Sequence, residues 1–182
     1  MDKDLIIQEI FDLFSHYGDN DYIGESVTQE LHMRQCAMLL KEITSDPELI
    51  VAGLLHDIGH LLQSTESMGN LGIMNHETLG KEYLLSRGFT KKVSELVGNH
   101  VNSKRYLVSK NKYYYYSLSS ASQQTLEYQG GPMDIDEMNE FERSIYFNDS
   151  LTLRYCDDRA KDPHKISDNL IDYIPLIKQC II

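Results

Sequence analysis

His56-Asp57 closes the apolar run Leu49-Ile50-Val51-Ala52-Gly53-Leu54-Leu55 and is followed at once by Ile58-Gly59-His60. A carboxylate beside an imidazole at the end of a buried segment must be paired, or must hold a metal, to offset its desolvation. The pair has company: His32 upstream, and His76, His100 and Asp157 downstream. Four imidazoles and two carboxylates suit two divalent or trivalent first-row metal ions, with the Asp57 carboxylate able to bridge them.

A second group of residues suits an anion. Lys104 follows His100 by four and Arg154 precedes Asp157 by three. Either spacing puts neighbours on one helix face, so each sets a cation one turn from a candidate ligand. Ser122 and Thr125 are spaced by three, and His60 follows His56 by four, with Gly59 intervening. Phosphate or phosphonate is the natural guess, because Arg binds its oxygens bidentately and Lys adds charge. Surface ion pairs remain an alternative for Lys104 and Arg154. Tyr22 and Glu25 also share a face, and could ligate a metal or receive the cationic end of a ligand. His16 and His164 lie among polar or loop residues and read as surface histidines.

These residues need helices to position them. Ile6, Ile10, Leu13 and Phe14 form a helical stripe over residues 4–16, which Gly18 and Asp19-Asn20-Asp21 end. A second helix is expected from Ser26 to Ile43, carrying His32. Ser45-Asp46-Pro47-Glu48 is a start signal for a helix with His56 and Asp57 near its C-terminal end. Residues 64–74 read as a loop able to cover a site. His76 opens a helix ending at Arg87-Gly88, and Thr90 opens another that reaches His100. Tyr113 to Tyr116 show no usable periodicity and read as packing or a loop wall. Residues 119–129 look helical, Gly130-Gly131-Pro132 stop them, and a later helix carries Arg154 and Asp157. The apolar end, Tyr173 to Ile177, is expected to dock on the body. Without repeats or linkers, residues 1–182 read as one all-α domain.

Composition narrows the partners. A formal charge of −11 argues against nucleic acid, whose phosphates reward a basic surface. No stretch reaches the roughly 20 apolar residues that span a bilayer, and Met1-Asp2-Lys3-Asp4 lacks the layout of a secretory signal. The 3 cysteines, Cys36, Cys156 and Cys180, show no CxxC spacing, so neither a disulfide framework nor a thiolate zinc site is indicated. A cytoplasmic location is expected. Oligomeric state is not legible.

His32, His56-Asp57 and Asp157 together resemble the HD-domain superfamily, mostly metal-dependent phosphohydrolases, and His76 and His100 narrow the likeness to dinuclear members. Wider segments narrow it further: Asp21-Tyr22-Ile23-Gly24-Glu25, Asn75-His76-Glu77, His100-Val101 followed by Lys104 to Ser109, and Thr125 to Met133. Over residues 20–160 the chain resembles the mixed-valent di-iron, glycine-forming 2-amino-1-hydroxyethylphosphonate dioxygenases, relatives in fold and metal centre of myo-inositol oxygenase.

The resemblance implies a single HD-domain helical bundle. It implies His32, His56, Asp57 and Asp157 on a first iron, Asp57 bridging to a second, and His76 and His100 completing that one. Tyr22 would occupy the second iron until substrate displaces it, and Glu25 would turn to receive the substrate amine. His60, Lys104, Ser122, Thr125 and Arg154 would hold the phosphonate. The implied reaction is O2-dependent C–P cleavage of (R)-2-amino-1-hydroxyethylphosphonate to glycine and phosphate at an Fe(II)/Fe(III) centre, with O2 as co-substrate. Tyr22 and Glu25 favour a primary amine, which donates hydrogen bonds where a trimethylammonium group cannot. The alternatives are an oxygenase for a trimethylammonio or amine-free 1-hydroxyphosphonate, an HD-type phosphohydrolase, or a non-catalytic HD module.

Overall fold

A computed structural model describes residues 2–22, 24–62 and 72–182. The segment expected to be a covering loop, 64–74, falls largely outside the described residues. Ten α-helices are present among those described: α1 Lys3–Tyr17, α2 Gln29–Ile43, α3 Pro47–Leu55, α4 His76–Ser86, α5 Lys91–Lys110, α6 Lys112–Ser117, α7 Ser120–Tyr128, α8 Ile135–Glu142, α9 Phe147–Asp157 and α10 Ile174–Cys180. Single 3₁₀ turns cover Ile58–Leu61 and Leu170–Tyr173. Isolated bridges pair Asp21 with Thr28 and Phe89 with Ile181. The expected all-α architecture is what is found.

α3 forms the centre. Every residue from Leu49 to Leu55 is buried, as a helix apolar on all sides requires. α2, α5, α9 and α10 pack around it, and α4 lies against α5 and the 58–61 turn. Ile10, Met33, Leu40, Leu54, Leu96, Leu153, Tyr173 and Ile177 belong to one continuous core, so the C-terminal segment docks as expected. All three cysteines are buried and free.

Caps account for most helix ends. Asp46 accepts from Glu48 N–H ahead of Pro47, Thr90 from Val93 and Ser119 from Ser122. Thr28 caps α2 by accepting from Leu31, so that helix begins three residues later than its apolar spacing predicts. The tyrosine run, which shows no period, is the short helix α6, capped by Asn111.

Candidate dinuclear metal centre and anion cleft

α3 stops one residue short of the expected motif. His56 is its C-cap, and Asp57, at φ −101° and ψ 13°, leads into the 3₁₀ turn. The two side chains therefore leave the chain from a turn, and His60 is not stacked above His56 along one helix face. Gly59 permits the turn: a Cβ there would lie 1.9 Å from the His76 carbonyl oxygen. His76 enters from the first turn of α4, after Asn75 in the left-handed region at φ 58°, a conformation Asn tolerates well. His32 comes from α2, His100 from α5 and Asp157 from the end of α9. All six are buried.

Each imidazole donates its Nδ1–H to a main-chain carbonyl. His32 donates to Ala160 (2.8 Å), His56 to Gly53 (2.9 Å), His76 to Ile73 (3.2 Å) and His100 to Val97 (2.7 Å). A neutral imidazole has only one N–H, so each Nε2 presents a lone pair. Yet His32 Nε2 and His56 Nε2 are 3.0 Å apart, and so are His76 Nε2 and His100 Nε2. Lone pairs at that distance repel unless a proton or a cation lies between them. Adjacent nitrogens each about 2.1 Å from one ion, at a right angle, are separated by about 3.0 Å.

Asp57 joins the two pairs. Its Oδ2 is 3.6 Å from His32 Nε2 and 3.4 Å from His56 Nε2, while its Oδ1 is 3.4 Å from His76 Nε2 and 3.3 Å from His100 Nε2. Asp157 Oδ1 adds to the first pair, 3.4 Å from His32 and 3.9 Å from His56. Asp57 Oδ2 and Asp157 Oδ1 are buried without a hydrogen-bond donor, a cost that calls for an explanation such as a bound ion. Burial works against charge at His56, but Asp57 and Asp157 outweigh it and raise its pKa well above the usual value. Burial likewise opposes ionisation of Asp57, but His56, His100 and His76 hold its carboxyl well below the ordinary range. The pocket demands positive charge. These residues fit two first-row metal ions: His32, His56 and Asp57 group at the first position and Asp57, His76 and His100 at the second, with Asp157 Oδ1 beside the first pair as a further donor.

Beside these donors opens a cleft. Tyr22, Glu25, His60, Lys104, Ser122, Thr125 and Arg154 all line it, together with Asp57, His76, His100 and Asp157. The residues that sequence reasoning proposed for an anion are thus brought to one place. Lys104 and Arg154 are each only 4% exposed, which excludes the surface ion-pair reading. Lys104 Nζ donates to Thr125 Oγ1 (2.9 Å), and burial with Arg154 nearby pushes its pKa down to about 7. His60 stacks on His76, with ring centroids 3.8 Å apart, and its Nδ1 accepts from Ile73 N–H (3.2 Å). Its remaining nitrogen, Nε2, therefore carries the N–H when the ring is neutral. Burial and the neighbouring His76 drive its pKa well down, so the ring is a neutral donor. Tyr22 lies flat on His32, centroids 3.9 Å apart, and burial with the charges of Asp57 and Asp157 raises its phenol pKa well above normal. His16 and His164 are exposed, as expected.

Several contributors escaped the sequence reading. Arg154 Nε donates to the Tyr114 hydroxyl (3.1 Å), which donates in turn to Asp158 Oδ2 (2.6 Å), and Asp158 also pairs with Arg154 Nη2. One tyrosine of the aperiodic run therefore orients the arginine. Lys161 contacts Glu25 and Ser122. Gln29 and Gln129 line the cleft, each with a buried, unpartnered Oε1. Tyr114 and Lys161 meet their partners across elements, so no spacing rule marks them, whereas Asp158 follows Arg154 by four on one helix face.

Residues 31–138 match the HD domain family. The chain is 34% identical over 178 residues to a 1-hydroxy-2-(trimethylamino)ethylphosphonate dioxygenase (glycine-betaine-forming) of Leisingera caerulea, covering 97% of this chain and 90% of that one. It is 38% identical over 178 residues to a hydroxymethylphosphonate dioxygenase of Gimesia maris, covering 96% and 88%. An uncharacterized protein of Acanthamoeba polyphaga mimivirus shares 48% identity over 158 residues, 85% of this chain and 72% of its own. With its metal-ready His/Asp cluster and near full-length homology to phosphonate dioxygenases, the chain belongs to the HD-domain family.

Proposed function

We propose that the protein uses O2 to break the carbon–phosphorus bond of a small 1-hydroxyphosphonate at two iron ions in mixed Fe(II)/Fe(III) valence. The observation that carries this reading is Asp57, whose two oxygens face different imidazole pairs at the floor of a cleft walled by Lys104 and Arg154. In this reading His32, His56, Asp57 and Asp157 hold the first iron, and Asp57, His76 and His100 the second. Bound iron supplies the redox chemistry that oxidises the substrate's C1 carbon with O2. The chain supplies position. Lys104, Arg154, the His60 Nε2–H and the hydroxyls of Ser122 and Thr125 grip the phosphonate and hold C1 over the centre.

Tyr22 and Glu25 would suit (R)-2-amino-1-hydroxyethylphosphonate, for which Tyr22 would yield its place in the cleft and Glu25 would accept the amine once released by Lys161. One substrate and one O2 then balance to one glycine and one phosphate, with no external reductant. A second reading rests on Lys161, which already occupies Glu25: hydroxymethylphosphonate, without the amine, would give formate and phosphate. The enzyme would work on a free small molecule, without nucleic acid or membrane, and in the cytoplasm. Among the described residues no helix is long and apolar enough to cross a membrane.

The test is to load the protein with iron, reduce it partly, and supply either phosphonate with and without O2. Phosphate should appear only with O2, accompanied by glycine or formate. Phosphate release indifferent to O2 would overturn the oxygenase reading, and hydrolysis of a phosphomonoester would favour a phosphohydrolase.

A further inference from the structure

Lys161 Nζ donates to Glu25 Oε1 (2.9 Å) and lies 3.1 Å from Ser122 Oγ and 3.4 Å from Ser119 Oγ. It also sits 5.7 Å from the centroid of the Tyr22 ring. An ammonium has three N–H donors, and here three oxygens and an aromatic face surround one. These are the surroundings of a bound alkylammonium, filled from within the chain.

The placement is fixed by the backbone. The Ala160 carbonyl, just before Lys161, accepts from His32 Nδ1 (2.8 Å). Just after it, the Asp162 carbonyl accepts from Gln35 Nε2 (2.6 Å) and Asp162 N–H donates to Gln35 Oε1 (3.2 Å). Gln35 is wholly buried. Lys161 is therefore clamped on both sides by α2, and its side chain, like that of Glu25, is only 14% exposed. A pair this sheltered resists separation, because either charge alone would keep a desolvation cost. Glu25, Tyr22 and Ser122 face the cleft, whereas Lys161 meets them from behind.

We propose that Lys161 is a resident stand-in for a substrate ammonium, and that it biases this cleft toward 1-hydroxyphosphonates lacking a cationic substituent. The proposal rests on the phosphonate reading of the cleft. With Glu25 already neutralised, an ammonium brought by a ligand gains little there and must displace Lys161 to gain more. Removing the lysine leaves a sheltered carboxylate without its counter-ion, and a cationic ligand then supplies it.

The probes are 2-aminoethylphosphonate and ethylphosphonate, which have no C1 hydroxyl, bound to metal-loaded protein without O2 and followed by calorimetry. Wild-type protein should bind them within about threefold of each other. Lys161→Met should tighten the amino ligand relative to ethylphosphonate by about tenfold or more. Lys161→Gln, which keeps polar contact with the serines, should move the ratio in the same direction and guards against a misfolded Met variant. An unchanged or reversed ratio with both ligands bound overturns the role of Lys161 alone. If neither ligand binds the wild-type protein, the phosphonate reading falls and the proposal falls with it.

Discussion

Arg154 Nη1 donates to Asp157 Oδ2 at 2.8 Å, while the other oxygen of Asp157 faces His32 at 3.4 Å. One carboxylate thus ties the anion cleft to the candidate metal centre. The arrangement has the logic of a supported metal ligand, in which an outer partner fixes the orientation of the group that binds. It also explains how a guanidinium that is only 4% exposed stays charged. Burial alone would disfavour its charge, but Asp157 and Asp158 raise its pKa well above the usual value.

Arg154→Lys tests that link. A lysine keeps a positive charge but not the planar fork that reaches Asp157, Asp158 and Tyr114 together. The variant should bind the first metal ion about tenfold more weakly, in the range seen when the outer partner of a ligand is lost. The second position, built from Asp57, His76 and His100, should be much less affected. Metal content after graded chelation checks this: equal weakening of both ions would show that Arg154 serves the centre only through general packing.

Tyr114→Phe should act on substrate affinity. The hydroxyl accepts from Arg154 Nε and donates to Asp158, so its removal leaves the guanidinium less firmly aimed. Loss of about one net hydrogen bond corresponds to a rise in KM of about fivefold. Because Tyr114 is a positioning residue, kcat should change by less than about twofold, whereas a fall in kcat at constant KM would contradict the role. Steady-state kinetics with either hydroxyphosphonate decides it.

Local rules made most of the elements legible. Asp46 before Pro47 marks a helix start, and the unbroken apolar run to Leu55 marks its burial. The donor set was legible for a different reason: imidazoles and carboxylates in apolar segments have few alternatives to pairing or metal. Lys161 was not legible. It meets Glu25 across 136 residues, and only the folded backbone, held between Ala160 and Asp162, brings them together. The tyrosine run was opaque because a helix of six residues spans less than two turns, too short for a 3.6-residue period to emerge.

Lys104 predicts a pH dependence. Its burial, with Arg154 nearby, lowers its pKa to about 7, so the side chain is charged below that value and neutral above it. Affinity for an anion such as methylphosphonate should therefore fall as pH rises through about 7. The ligand's own second ionisation runs in the opposite direction, so the wild-type curve is compared with that of Lys104→Met, which should be weaker and lack the Lys104 step. The same shift makes a prediction about folding. Between about pH 7 and the ordinary lysine value of about 10.4 the unfolded chain binds more protons than the folded one, so this group makes stability rise with pH. A bound anion that restores the charge should flatten that rise. Isothermal titration and urea melts across the window would show both effects, and identical pH profiles for the two proteins would refute them.

Gly59→Ala tests whether fold and centre share one constraint. The Cβ of an alanine would stand 1.9 Å from the His76 carbonyl oxygen and 2.7 Å from its carbon. Those atoms belong to the first turn of α4, so no flexible side chain can yield in their place. The helix start must shift, carrying with it an imidazole whose Nε2 is 3.0 Å from His100 and 3.4 Å from Asp57. Overpacking of this kind costs about 1–3 kcal/mol in stability. The damage should fall on the second metal position, which has only three donors from the chain, while His32, His56 and Asp157 stay in place. The variant is therefore expected to melt at lower temperature and to retain close to one metal ion per chain, against two expected for the wild-type protein. A destabilised variant that still binds two ions would show that the turn at Gly59 serves the fold without setting the position of His76.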